Sequence, residues 1–92
     1  MELESFLNVW EALEDTPEQA ANMEARSRLM MEIARIIRKN GWKQVEAAYH
    51  CGVTQPRIND LLRGRIDRFS LDALVNMSAR LGYSVHMELE LA

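Results

Sequence analysis

The stretch GVTQPRINDLLRG, residues 52–64, constrains the fold of this chain more than any other part of the sequence. Helical patterns of apolar residues lie on both sides of its first glycine. They consist of Val45, Ala48 and Tyr49 before the glycine, and of Ile58, Leu61 and Leu62 after it. Gly52 can adopt a positive φ without steric cost, and the small Ala48 allows two helices to cross closely. The spacing predicts a helix-turn-helix, with a plain helical hairpin in a small bundle as the alternative.

Further helical patterns flank this unit. Thr16 and Pro17 are typical of a helix start, and Gly41 is typical of a helix end, which predicts a long helix between them. Ser70 predicts the start of a last helix, which Gly82 ends. Apolar residues at helical spacing predict one more short helix near the N-terminus. They are Leu3, Phe6, Leu7, Trp10 and Leu13.

The C-terminal residues change to a period of two. Apolar residues alternate there with polar ones, at Tyr83, Val85, Met87, Leu89 and Leu91. This pattern predicts a β-strand with one apolar face. Since a lone strand leaves its backbone groups unpaired, we expect it to pair with the same strand of a second copy, so that these five residues form a dimer interface. The predicted fold is mainly α, with five helices and one C-terminal β-strand that pairs across a dimer.

Charge is distributed unevenly along the 92 residues. The net charge is -3, yet residues 1–24 carry seven acidic side chains and no basic one, whereas residues 35–68 carry eight basic and three acidic ones. A phosphate backbone responds to such a local basic face and not to the total charge. The alternative is a solvated helical surface with scattered ion pairs. Together, the charge distribution and the predicted helices and strand divide the chain into three parts. They are an acidic arm (1–16), a helix-turn-helix domain (17–82) and a dimerisation strand (83–92).

The residues that could support other classes of function are few. One cysteine, Cys51, excludes an internal disulfide, and His50 and His86 lack the spacing of metal ligands. No acid–base, nucleophilic or metal constellation is visible, so we expect neither enzymatic activity nor a cofactor. The N-terminus has neither the basic flank of a signal peptide nor the apolar length of a membrane span, which predicts a cytoplasmic protein without membrane contact.

The segment KQVEAAYHCGVTQPRINDLLRGRIDRFSLDAL, residues 43–74, resembles the phage-repressor-like helix-turn-helix family, also called the Xre family. It is most similar to the branch that includes HigA-type antitoxins. The resemblance implies a repressor-like domain in a homodimeric transcriptional regulator that binds a palindromic operator. The antitoxins also silence a ribonuclease toxin, and the acidic residues 1–24 suit such a small basic partner. Lys43 departs from the family, which usually has Thr or Ser at this helix start.

Helix-turn-helix docking would place the helix that begins at Thr54 in the major groove. The side chains predicted to reach bases are Thr54, Gln55, Pro56, Arg57, Asn59 and Asp60. Those predicted to contact phosphate are Lys43, Gln44, Arg63, Arg65 and Arg68. Two alternatives remain open: Arg57 could instead contact phosphate or form an intramolecular ion pair, and Asp60 could pair with an arginine instead of accepting from cytosine.

Overall fold

A computed structural model of the chain describes residues 16–91. This part contains four α-helices and one short 3-10 helix. They are α1 (Pro17–Asn40), α2 (Gln44–Cys51), α3 (Gln55–Leu62), the 3-10 helix Ile66–Arg68, and α4 (Leu71–Arg80). Within residues 16–91, no helix combines the length and apolar character that crossing a membrane requires.

The long helix α1 begins and ends at the predicted residues. The Thr16 hydroxyl accepts a hydrogen bond from the Gln19 backbone N–H at 3.1 Å, and Pro17 occupies the first turn. Gly41 ends the helix with φ 65°, a conformation that favours glycine. Helix α1 buries five residues of one face in its C-terminal half. They are Met30, Ile33, Ala34, Ile36 and Ile37.

The hydrophobic core lies where the helices cross. Helix α1 packs against α4, while α2 and α3 pack against each other and α2 also contacts α4. Ile58 of α3 and Leu74 of α4 are fully buried at its centre. Phe69, directly before the Ser70 cap, is also buried and belongs to the same cluster. Since the Ser70 hydroxyl accepts from the Ala73 N–H at 3.1 Å, the cap and the core together orient α4.

The predicted fold is wrong in its element count and in its strand. Residues 16–91 form four α-helices and no strand, and residues 83–91 have no regular secondary structure. Alternation specifies which side chains share a face, but a strand also needs a neighbouring strand for its backbone hydrogen bonds. No other segment between residues 16 and 91 provides one. The helix predicted over residues 3–13, within the predicted arm 1–16, lies outside the described residues.

Candidate nucleic-acid interface

The turn between α2 and α3 has the geometry that the sequence predicts. Gly52 adopts φ 71°, and its N–H donates to the Tyr49 carbonyl at 3.3 Å. The next N–H, that of Val53, donates to the Ala48 carbonyl at 3.0 Å, which closes the end of α2. Ala48 is buried in the hydrophobic core, so a larger side chain there would force its neighbours to shift.

Helix α2 begins without a conventional hydroxyl cap. Lys43 occupies the capping position, and its backbone N–H donates to the Glu46 carboxylate at 2.9 Å. Glu46 thereby provides half of a capping box, and its charge also suits the positive end of the helix. The Lys43 side chain is exposed and Gln44 is half-buried beside it. These two of the five predicted phosphate contacts therefore lie at the start of α2.

The first turn of α3 presents an exposed polar edge. Thr54, Gln55 and Pro56 are all exposed, whereas Ile58 and Leu61, further along the helix, are buried. Thr54 stands at the capping position, and its carbonyl accepts from the N–H groups of Arg57 and Ile58 at 3.1 and 3.2 Å. The Thr54 hydroxyl forms no capping hydrogen bond.

Arg57 folds back against its own domain. Its guanidinium donates to the Arg68 carbonyl at 2.7 Å and lies 4.3 Å from the centroid of the Phe69 ring. These contacts place a cation over an aromatic face and a charge-assisted donor on the loop after α3. Arg57 therefore connects α3 to the segment that carries the predicted phosphate contacts. The sequence-based alternative of an intramolecular ion pair is replaced by this carbonyl and ring contact.

Asp60 joins α3 to two arginines of the following loop. One of its carboxylate oxygens accepts from Arg65 at 3.2 Å and from Arg68 at 3.1 Å. The Asp60 side chain is 13% exposed, so the acidic group is largely covered by its partners. The pairing with arginine is the alternative that the sequence left open. Asn59, the remaining predicted base contact, is half-buried on the same helix.

Arg63 differs from its two neighbouring arginines. It follows α3 directly, is exposed, and forms no ion pair or side-chain hydrogen bond within residues 16–91. Gly64 then turns the chain with φ 71°. A free guanidinium at the C-terminal end of α3 is suited to a phosphate oxygen.

Arg26 is a structural residue of this region that the sequence reasoning missed. From α1 its guanidinium donates to the Ile66 carbonyl at 3.0 Å and to the Phe69 carbonyl at 3.4 Å. It also donates to the Asn22 side chain at 2.7 Å. Arg26 thus holds the loop after α3 against α1. The i,i+4 spacing from Asn22 is visible in the sequence, but nothing local indicates contacts across forty residues.

The residues predicted to form a dimer interface leave much apolar surface in water. Leu89 and Leu91 are fully exposed, Tyr83 and Met87 are exposed, and Val85 is half-buried.

Among the described residues, no group of three or more His, Cys, Asp or Glu side chains converges as metal ligands would.

The comparison with protein families agrees with the geometry of α2, its turn and α3. Residues 12–90 match the model of a family described as a helix-turn-helix domain. The chain belongs to this helix-turn-helix family. No curated protein matches it. Membership supports a DNA-binding regulator, and α3 is the second helix of the motif.

Proposed function

We propose that this helix-turn-helix protein is a sequence-specific transcriptional regulator of the phage-repressor-like (Xre) type, acting as a homodimer on a palindromic operator. It would repress or autoregulate transcription without enzymatic activity. The observation that carries the proposal is the exposed N-terminal end of α3, where Thr54, Gln55 and Pro56 are open to solvent, while Ile58 and Leu61 further along the helix are buried in the core. A recognition helix needs this division, because its N-terminal residues contact base edges in the major groove while its apolar residues pack on the domain.

The exposed edge of α3 carries groups that can read bases. The Gln55 amide can donate to and accept from adenine through two hydrogen bonds. Pro56 offers only apolar contact, which suits a thymine methyl group. At the start of a helix the backbone N–H groups lack intrahelical acceptors, so those near Thr54 can reach a phosphate oxygen. Recognition of the operator sequence would therefore depend mainly on Gln55. Thr54 and Pro56 would set how closely α3 approaches the bases.

The arginines after α3 divide into two roles in this proposal. Arg63 is free and would contact the phosphate backbone directly. Arg65 and Arg68 share Asp60, so their charges are partly neutralised before DNA is bound. Arg57 and Asp60 would act as positioning residues for this loop instead of contacting bases. Phosphate contacts of this kind supply salt-dependent affinity and fix the register of α3.

The homodimer is supported by the exposed apolar side chains after α4. Met87, Leu89 and Leu91 lie in water in the single chain, and a second copy could cover them. Twofold symmetry would place two α3 helices on half-sites about 34–36 Å apart, one turn of the duplex. The proposed homodimer therefore requires that apolar side chains after α4 contact those of the second copy.

Selection from a random duplex library tests the proposal. The full chain should enrich one palindromic sequence, and sedimentation of the complex should give two chains per duplex. Enrichment of no sequence, with equal affinity for all duplexes, would contradict a sequence-specific regulator. One chain per duplex would contradict the homodimer alone.

An antitoxin that binds and neutralises a small basic ribonuclease stays a second prediction from the resemblance. Its proposed contact region, the acidic residues 1–24, lies mostly outside residues 16–91. Co-purification of a small basic protein with the chain would support this activity. Both activities are compatible in one protein, since the basic loop and the acidic segment are separate in sequence.

A further inference from the structure

The loop between α3 and α4 carries Arg65 and Arg68, two of the arginines that the proposed function directs to phosphate. Its regular structure is the short 3-10 helix Ile66–Arg68. Within the loop, the Arg68 N–H donates to the Arg65 carbonyl at 3.1 Å, and the Phe69 N–H donates to the Ile66 carbonyl at 3.3 Å. Hydrogen bonds in a 3-10 turn have poor geometry. The position of the loop therefore depends on contacts with other elements.

Arg26 provides such a contact from α1. Its Nη1 atom donates to the Ile66 carbonyl at 3.0 Å and to the Phe69 carbonyl at 3.4 Å. Ile66 begins the 3-10 helix and Phe69 directly follows it, so one guanidinium joins the two ends of this turn. Arg26 is half-buried, and a charged donor in such a place forms a stronger hydrogen bond than a neutral one.

The Arg26 side chain is itself held in this orientation. Asn22 lies one turn earlier in α1, and its side-chain oxygen accepts from the Arg26 Nε at 2.7 Å. Residues four apart are neighbours on a helix surface, so this contact forms within α1 and does not require the loop. A side chain that is already oriented loses less conformational entropy when it bonds the loop. Helix α1 therefore presents a guanidinium that is prepared for the two carbonyls.

A second arginine holds the same loop from another helix. Arg57 of α3 donates to the Arg68 carbonyl at 2.7 Å. The carbonyls of Ile66, Arg68 and Phe69 thus accept from guanidiniums of α1 and α3. A carbonyl that loses its partner away from water costs free energy, so the loop gains by staying between the two helices.

These contacts fix the backbone from which Arg65 and Arg68 extend. If the loop were mobile in the free protein, ordering it on DNA would cost conformational entropy and would lower the affinity. With its carbonyls already bonded, the loop pays this cost during folding. Arg26 can therefore affect DNA binding although its guanidinium donates to carbonyls of its own chain.

We propose that Arg26 is a positioning residue for DNA binding, which holds the loop in the conformation that brings Arg65 and Arg68 to the phosphate backbone. This inference rests on the proposed function, because it concerns phosphate contacts of that same interface. Arg26 itself does not contact DNA, so its whole contribution to the affinity passes through the two loop arginines. A direct phosphate contact by Arg26 would be independent of them.

A double-mutant cycle in the full chain, measured with the selected operator at low salt, tests the proposal. Arg26→Gln should weaken binding about fivefold, within the range for residues that change affinity without contacting the ligand. Arg28→Gln removes the same charge from an exposed residue of α1 that pairs with Glu24, and it should change the affinity by less than about twofold. When Arg65 and Arg68 are both Gln, adding Arg26→Gln should cause no further loss. Equal losses in both backgrounds would overturn the positioning role, because a direct contact or general damage to the fold is additive.

Amide hydrogen exchange of the free protein tests the same contact without DNA. In Arg26→Gln, the N–H groups of Arg68 and Phe69 should exchange about tenfold faster, because the loop opens locally more often. The N–H groups of Ile33 and Met77, two buried core residues, should exchange at the parent rate, which verifies that the fold persists. Unchanged exchange at Arg68 and Phe69 would overturn the role of Arg26 in holding the loop.

Asn22→Ala is a milder variant at an exposed residue, and it removes the side-chain acceptor that orients Arg26. It should speed exchange at Arg68 and Phe69 by a smaller factor. If Arg26→Gln also speeds exchange in the core, Asn22→Ala decides the matter, and unchanged loop exchange there would overturn the proposal. A parent chain that binds no duplex would contradict the proposed function and the positioning role with it. A parent chain that binds the operator no better than Arg26→Gln does would contradict the positioning role alone.

Discussion

The guanidinium of Arg57 lies 4.3 Å from the centroid of the Phe69 ring, and it donates to the carbonyl of Arg68 at 2.7 Å. This contact joins α3 to the loop behind it. Phe69 belongs to the hydrophobic core, so the loop is anchored from α3 on one side and by the core on the other. The position of the loop arginines therefore depends on a side chain that the sequence places among the base contacts.

Replacing Arg57 with Ala should lower the free energy of unfolding by about 1–3 kcal/mol, because a cation–ring contact and a charge-assisted hydrogen bond are lost. Arg57→Lys should recover only part of this, since an ammonium lacks the planar face that lies over Phe69. Urea denaturation of the two variants measures the difference. If both variants are as stable as the parent chain, the contact does not position the loop in solution.

Replacing Asp60 with Ala should free Arg65 and Arg68 while costing only about 1 kcal/mol of stability, because both guanidiniums keep access to water. Removal of a negative charge beside phosphate should raise the affinity for every duplex, most strongly at low salt. Fluorescence anisotropy with unrelated duplexes gives the comparison. A loss of preference at one base pair, without the general gain, would instead show that Asp60 reads a base.

Gly52 and Gly64 provide a matched pair for the cost of positive φ, since both have φ 71°. A Cβ on Gly52 would lie 3.0 Å from Arg80 atoms, whereas one on Gly64 would meet nothing within 4 Å. Alanine at either residue should cost about 1–2 kcal/mol from backbone strain. The two costs should agree to within about 0.5 kcal/mol, because the exposed end of Arg80 can rotate away. Thermal unfolding measures both, and a much larger cost at Gly52 would mean that Arg80 is held in place.

Burial raises the pKa of the Cys51 thiol above its ordinary value of 9.0. The unfolded chain therefore releases this proton at a pH where the folded chain still holds it. Stability contributed by the neutral thiol is complete below pH 9.0 and declines as pH rises through the higher pKa of the folded state. Urea midpoints between pH 8 and pH 10 should accordingly fall more steeply for the parent chain than for Cys51→Ala. If the urea midpoints of the two proteins fall in parallel with pH, the Cys51 thiol reaches water without unfolding of the chain.

The sequence predicts best those features that depend on neighbouring residues. Thr16, Pro17 and Gly41 define α1 because a cap, a fixed φ and a left-handed end are local requirements. The turn at Gly52 follows from the same kind of requirement. The family match then confirms the motif over most of the chain.

The remaining features depend on partners that are distant in sequence. The alternation from Tyr83 onward predicts a strand, but pairing needs a second strand that residues 16–91 do not supply. Arg26 contacts carbonyls 40 and 43 residues away, and no local pattern indicates which ones. The contacts of Arg57 with the loop likewise appear only once α3 and α4 are packed.

The ratio of affinities for the selected operator and for a scrambled duplex, compared between Gln55→Ala and Arg63→Ala, tests the central claim most directly. Gln55→Ala should lower this ratio by about tenfold per half-site, because two hydrogen bonds to a base are lost. Arg63→Ala should weaken both duplexes alike and flatten the salt dependence by about one unit. An unchanged ratio for Gln55→Ala would contradict the claim that the exposed edge of α3 reads DNA.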